Sequence, residues 1–173
     1  MNHPDQTQER LGKVMIYLAW LLLLGILTLF FEQWLERREN PNQRLASYTS
    51  EAGVREVLLK RNHSGHYVAP GYINGQPVRF LVDTGASHIS IPASLAEGLG
   101  LNYGSPLRAV TANGVITVHS TILGQVALGN IVFYKVRASI NPYMHDDVVL
   151  LGMSFMQDLE IIQKGALLTL RQY

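Results

Sequence analysis

The chain has 173 residues, enough for one domain or for a small domain with an appendage. Its 14 Lys+Arg against 13 Asp+Glu leave a net charge of +1, which gives no electrostatic reason to expect a nucleic-acid partner. There is no cysteine, so neither a disulfide framework nor thiol chemistry is available, and the 47% hydrophobic content is densest between Val14 and Phe31.

Residues 1–13 form a polar tail that ends with Arg10 and Lys13. Val14–Phe31 then runs without a charge, and at about 1.5 Å per residue it makes a helix of about 27 Å, close to the thickness of a bilayer's hydrocarbon core. Trp34, Glu36, Arg37 and Arg38 follow as interfacial and polar flanks. The apolar run exceeds that of a cleaved signal peptide and has no small-residue cleavage site after it. Residues 14–34 are therefore expected to be a retained membrane anchor with the lipid bilayer as partner. Basic residues stand on both sides, so charge does not decide its orientation.

Residues 35–53 lose all apolar periodicity and are expected to be a juxtamembrane linker. From residue 54 to 173, short β-type segments alternate with turn signals, which predicts a closed or sandwiched all-β domain. Strands are expected at Val54–Lys60 and Tyr67–Ile73, with an Asn74-Gly75 hairpin turn leading into Val78–Val82. His88–Ile91 follows, then a short helical segment at Ala93–Gly98. Leu107–Thr111 and Val115–Ser120 flank a second turn, Ala112-Asn113-Gly114. Further strands are expected at Ile122–Leu128, Ile131–Ile140, Val148–Leu151 and Ala166–Arg171, with a short C-terminal helix at Ser154–Asp158.

The chemistry-bearing stretch is Phe80-Leu81-Val82-Asp83-Thr84-Gly85-Ala86-Ser87, an apolar strand that stops at an aspartate and turns on Thr-Gly. Taken alone, Asp-Thr-Gly is also ordinary β-turn composition. Here it joins two apolar strands, lies about thirty residues ahead of the Asn-Gly hairpin, and is followed near the C-terminus by Leu150-Leu151-Gly152. Ile122-Leu123-Gly124 has the same pattern but comes too early and lacks a following helix. In these motifs and their order, residues 54–173 resemble the retropepsin-like (clan AA) single-domain aspartic peptidases, and more closely their membrane-anchored bacterial members. Ser87-His88 departs from the acidic residue common at that place in viral enzymes.

The resemblance implies an aspartic endopeptidase needing no metal or other cofactor, with Asp83 as the catalytic acid. Thr84, Gly85 and Ala86 would support the active-site loop. The tip Ala112, Asn113 and Gly114 would close as a flap over substrate, and Leu150, Leu151 and Gly152 would thread beside the catalytic strand. Because the triplet occurs once, a fused two-lobed enzyme is excluded, and the resemblance implies a homodimer in which two Asp83 carboxylates share one proton and activate a water. The strand near Leu167–Leu170 is expected to help join the protomers as an unpaired apolar edge. The implied substrate is a membrane-associated protein or peptide, and the implied location is the bacterial inner membrane with the domain in the periplasm. A non-catalytic, membrane-tethered peptide-binding adaptor on the same fold is the alternative; the intact triplet favours the enzyme.

His63-Ser64-Gly65-His66 reads as a solvated loop instead of a metal site, since no second ligand cluster accompanies it. Asp146-Asp147 reads as part of a polar loop, and His88 and His119 as strand-face residues without chemistry.

Overall fold

A computed structural model describes residues 6–111 and 114–173. The chain divides into two compact units at Arg38/Glu39. In the first, helix α1 (Gln6–Glu39) begins, and its side chains from Arg10 to Arg38 are almost all exposed. Among the described residues it is the one helix long and apolar enough to cross a membrane, with none of its apolar window buried. Near its end the Arg38 guanidinium lies 4.6 Å from the Trp34 ring centroid, a pairing of cation and aromatic face.

The second unit is mostly β. Its strands are β1 (Ala46–Thr49), β2 (Arg55–Lys60), β3 (Val68–Ile73), β4 (Gln76–Val82), β5 (Ile89–Pro92), β6 (Pro106–Thr111), β7 (Gly114–Leu128), β8 (Ile131–Asn141), β9 (Val149–Leu151), β10 (Glu160–Lys164) and β11 (Leu167–Gln172). Two short helices, α2 (Ala93–Gly98) and α3 (Met153–Met156), interrupt them. Seven strands form one sheet in the order β3-β4-β9-β5-β8-β7-β6, and an added β3–β7 pairing at Tyr72↔Ala127 and Ile73↔Val126 closes it on itself. Closure removes the edges that would otherwise expose unpaired backbone groups. Only β6 stays outside the ring, paired with the first half of β7.

Alternation along the strands sends Phe80, Ile89, Ile91, Leu123, Val126, Leu128, Ile131, Ile140, Val149 and Leu151 into the core, all fully buried. The β3–β4 turn shows why Asn-Gly was selected. Asn74 and Gly75 both have positive φ (50° and 80°), as a two-residue turn matching strand twist requires. Asn74 also docks the turn onto β7: its N–H donates to the Gln125 carbonyl at 2.9 Å, and its Oδ1 accepts from the Gln125 N–H at 3.0 Å.

Three expectations differ from what is observed. Part of the stretch expected as linker is ordered: β1 pairs with β2, and the Asn42 side chain is buried against the domain. Asn42 Oδ1 accepts from the Lys60 N–H at 2.7 Å, while its Nδ2 donates to the carbonyls of Lys60 and Val68 at 2.9 and 2.7 Å. An amide that imitates backbone in this way leaves no hydrophobic period for a sequence reading to detect. Second, Val115–Ser120 and Ile122–Leu128 form one 15-residue strand, and β10 was not foreseen. Third, Leu167–Leu170 is not an unpaired edge. Strand β11 lies between β2 and β10 in a four-stranded sheet, β1-β2-β11-β10, contributed by one chain.

Candidate active site

Strand β4 ends at Val82, and its parallel neighbour β9 aligns Phe80, Leu81 and Val82 with Val149, Leu150 and Leu151. The Asp83 N–H continues this pairing by donating to the Leu151 carbonyl at 3.2 Å. The chain then turns back on itself. Asp83 Oδ1 accepts from the Gly85 N–H at 2.9 Å and the Asp83 carbonyl accepts from the Ala86 N–H at 3.3 Å. An aspartate bonded to an amide two residues on is a local turn, and it fixes the direction of the carboxylate.

Gly152 closes the loop from below. A Cβ there would sit 2.6 Å from the Ala86 carbonyl oxygen and closer still to that of His88, so only glycine fits. Just beyond it, the N–H groups of Met153 and Ser154 donate to the carbonyls of Ala86 (2.8 Å) and Ser87 (3.0 Å). The start of α3 thus gives its otherwise unpaired amides to the exit of the Asp83 turn. Ser154, not anticipated from sequence, adds a side-chain bridge. Its Oγ accepts from the Ile89 N–H at 3.0 Å and donates to the Arg137 carbonyl at 2.8 Å. A serine immediately after Leu-Leu-Gly-Met is the only sequence signal it leaves.

The structure therefore brings Asp83, Thr84, Gly85, Ala86, Leu150, Leu151 and Gly152 together. Ile122-Leu123-Gly124, by contrast, lies within β7. Asp83 and Ala86 are half-buried while Thr84 and Gly85 are exposed, so the triplet lies on the outside of a single chain. Two clefts indent this unit, one lined by Pro77, Arg79, Leu95 and Asp147 and one by His88, Lys135 and Arg137; neither includes Asp83.

The β6–β7 hairpin is present as expected, with Thr111 opposite Gly114 and the Thr111 hydroxyl donating to the Gly114 carbonyl at 2.9 Å. Gly114 has φ +118°. Ala112 and Asn113, the rest of the expected tip, lie outside the described residues. His63 and His66 lie in a turn organised by Asn62, whose Oδ1 accepts from the N–H groups of Ser64 (3.0 Å) and His66 (2.8 Å).

Residues 69–158, more than half of the chain, match the family described as gag-polyprotein putative aspartyl protease. The chain belongs to this retropepsin-like aspartic protease family. A retropepsin-like aspartic protease from Rickettsia conorii, known from its crystal structure, superposes with a TM-score of 0.59 at 27% identity, covering 75% of this chain and 96% of that one. An uncharacterized protein encoded in the cobV 5′ region of Sinorhizobium sp is 29% identical over 91% of this chain and 73% of its own length. The uncharacterized protein RP867 of Rickettsia prowazekii is 32% identical over 65% of this chain and 49% of its own length. The family match spans both the Asp83 turn and the Leu150–Gly152 element.

Proposed function

We propose that the chain is a membrane-anchored aspartic endopeptidase whose active site is completed by a second copy of itself. The carrying observation is the Asp83 turn: a carboxylate at the end of a core strand, aimed by the Gly85 amide and held from below by Gly152, yet outside the two clefts described above. Two such carboxylates brought face to face titrate as a unit and hold one proton between them. The ionised member takes a proton from a water that attacks the scissile carbonyl; the protonated member polarises that carbonyl and then protonates the leaving amine. As the family resemblance implies, Thr84, exposed on its own chain, bonds across the dimer, and Gly85 keeps the backbone close to the carboxylates. The hairpin tip, Ala112 to Gly114, closes over the peptide and excludes water.

Residues 14–34 anchor the chain, and residues 54–173 carry the catalytic fold, joined by β1 and Asn42 from the preceding stretch. Confinement to one membrane raises the effective concentration of the two copies and favours membrane-associated substrates. The inner membrane with a periplasmic domain is the proposed location; reporters fused to each terminus test it.

The function is tested with the full chain in detergent micelles, a peptide library and mildly acid pH. The wild type is expected to cleave, and Asp83→Asn to lower kcat by about 10³-fold or more. Cleavage that survives the substitution overturns the reading. Saturable peptide binding without any cleavage by the wild type supports the adaptor instead.

A further inference from the structure

We propose that the cationic cleft beside the Asp83 turn is a substrate subsite that takes an acidic side chain of the peptide. This inference rests on the peptidase reading and names the substrate class that reading leaves open. The cleft has a volume of about 400 Å³ and draws its walls from three places. Ser87 and His88 come directly from the exit of the Asp83 turn, Lys135 and Arg137 from β8, and Gln157 and Asp158 from beyond α3.

Three observations support a built site. The first is charge. Two permanent cations and an imidazole face one carboxylate, Asp158, so the cleft carries excess positive charge. Among the described residues no ion pair engages Lys135 or Arg137, both of which are exposed. The second is backbone conformation. Lys135 has φ +54°, the left-handed region that a side chain other than glycine or asparagine rarely occupies. The β7–β8 register keeps its count on both sides, Leu123↔Val136 and Gln125↔Tyr134, while the pair Gly124 and Lys135 drops out of the ladder. Consecutive residues 133–137 border the cleft, whereas a flat strand presents alternate residues to one side. The turn at Lys135 accounts for this, and such outliers persist where the surroundings enforce them, often at functional sites.

The third is mechanical continuity with the chemistry. Ser154 Oγ ties the Ile89 amide, at the end of the Asp83 turn, to the Arg137 carbonyl in the cleft wall. The Ser154 amide holds the Ser87 carbonyl. A side chain seated here is therefore registered to Asp83 through five residues of chain. The occupant is an Asp or Glu of the substrate, placed a few residues from the scissile bond.

The test uses the full chain in detergent micelles and matched peptides that differ only by Glu or Gln at each position flanking a cleaved bond. One position is expected to favour Glu by about tenfold in kcat/KM, mainly through KM, the size expected of a partly desolvated charge pair. The Lys135→Glu/Arg137→Glu variant should reverse the preference toward Lys at that position, while Arg137→Lys retains it. Cutting that continues with the preference unchanged in the charge-reversal variant overturns the inference. If the wild type cleaves no peptide, the peptidase reading fails by itself. Fluorescence anisotropy of labelled Glu and Gln peptides on wild type and charge-reversal variant then still decides the cleft: equal binding of both peptides by the wild type overturns it.

Discussion

The Asp83 turn and the β6–β7 hairpin are both loops between strands, yet they are built in opposite ways. The turn is held on every side: by the Leu151 carbonyl, by the Gly85 and Ala86 amides, by glycine at position 152, and by the start of α3. The hairpin is held by its own ladder, because β6 pairs only with β7 and stands outside the closed ring. Val110 is 86% exposed and Val115 64%, apolar side chains on an arm that reaches beyond the core. A rigid support for the carboxylate and an arm with apolar surface still to bury suit a site that fixes its chemistry first and closes on a ligand afterwards.

The contrast can be broken most severely at Gly152. Gly152→Ala sets a methyl against the Ala86 carbonyl oxygen, and because that oxygen is backbone it cannot swing away. A stability loss of about 3 kcal/mol or more is expected in denaturant melts, with cleavage abolished. Ser154→Ala is milder. It leaves the Ile89 amide without its acceptor and should cost about 1–3 kcal/mol, with kcat falling as the Asp83 turn loosens. On the hairpin the signs separate. Val110→Ser with Val115→Ser should cost no more than about 0.5 kcal/mol of stability while raising KM for peptides, since these mostly exposed side chains bury little in the free chain. If they destabilise the fold as much as Ser154→Ala does, the two loops are not built differently.

The smallest effect lies away from both. Glu160 is held below the ordinary glutamate range, first by the Tyr173 hydroxyl donating at 2.8 Å and then by Arg171 at 3.3 Å. Arg171 Nε also lies 2.8 Å from Glu56 Oε1, an ion pair by distance without an aligned hydrogen bond. A carboxylate with a lowered folded pKa contributes stability above the unfolded value and loses it as pH falls through the folded one. Tyr173→Phe should therefore lower stability slightly at neutral pH, and the difference from wild type should vanish as pH falls below the ordinary carboxylate range. These groups are exposed, so the effect is small.

Much of the barrel was legible because its signals are local. Asn74-Gly75 marks a turn that needs two positive φ values, and alternating apolar residues mark the strands around it. The Leu150–Gly152 element was legible too, since an apolar strand ending in glycine leaves a pattern. What stayed hidden depends on contacts between distant residues. Asn42 bonds backbone eighteen and twenty-six residues away, and Ser154 bridges Ile89 and Arg137. Neither role has a periodicity or a spacing. The C-terminal strand was misread for the same reason. Leu167–Leu170 is apolar and β-prone, but whether it is an edge depends on β10 and on β2, one missed and the other more than a hundred residues away.

The claim that two Asp83 carboxylates make one active site is tested most directly by co-expressing wild-type chain with Asp83→Asn at varied ratios and measuring cleavage per wild-type chain. If each site needs an Asp83 from both copies, that activity falls in proportion to the wild-type fraction as mixed dimers form. Activity per wild-type chain that stays constant at every ratio would contradict the account.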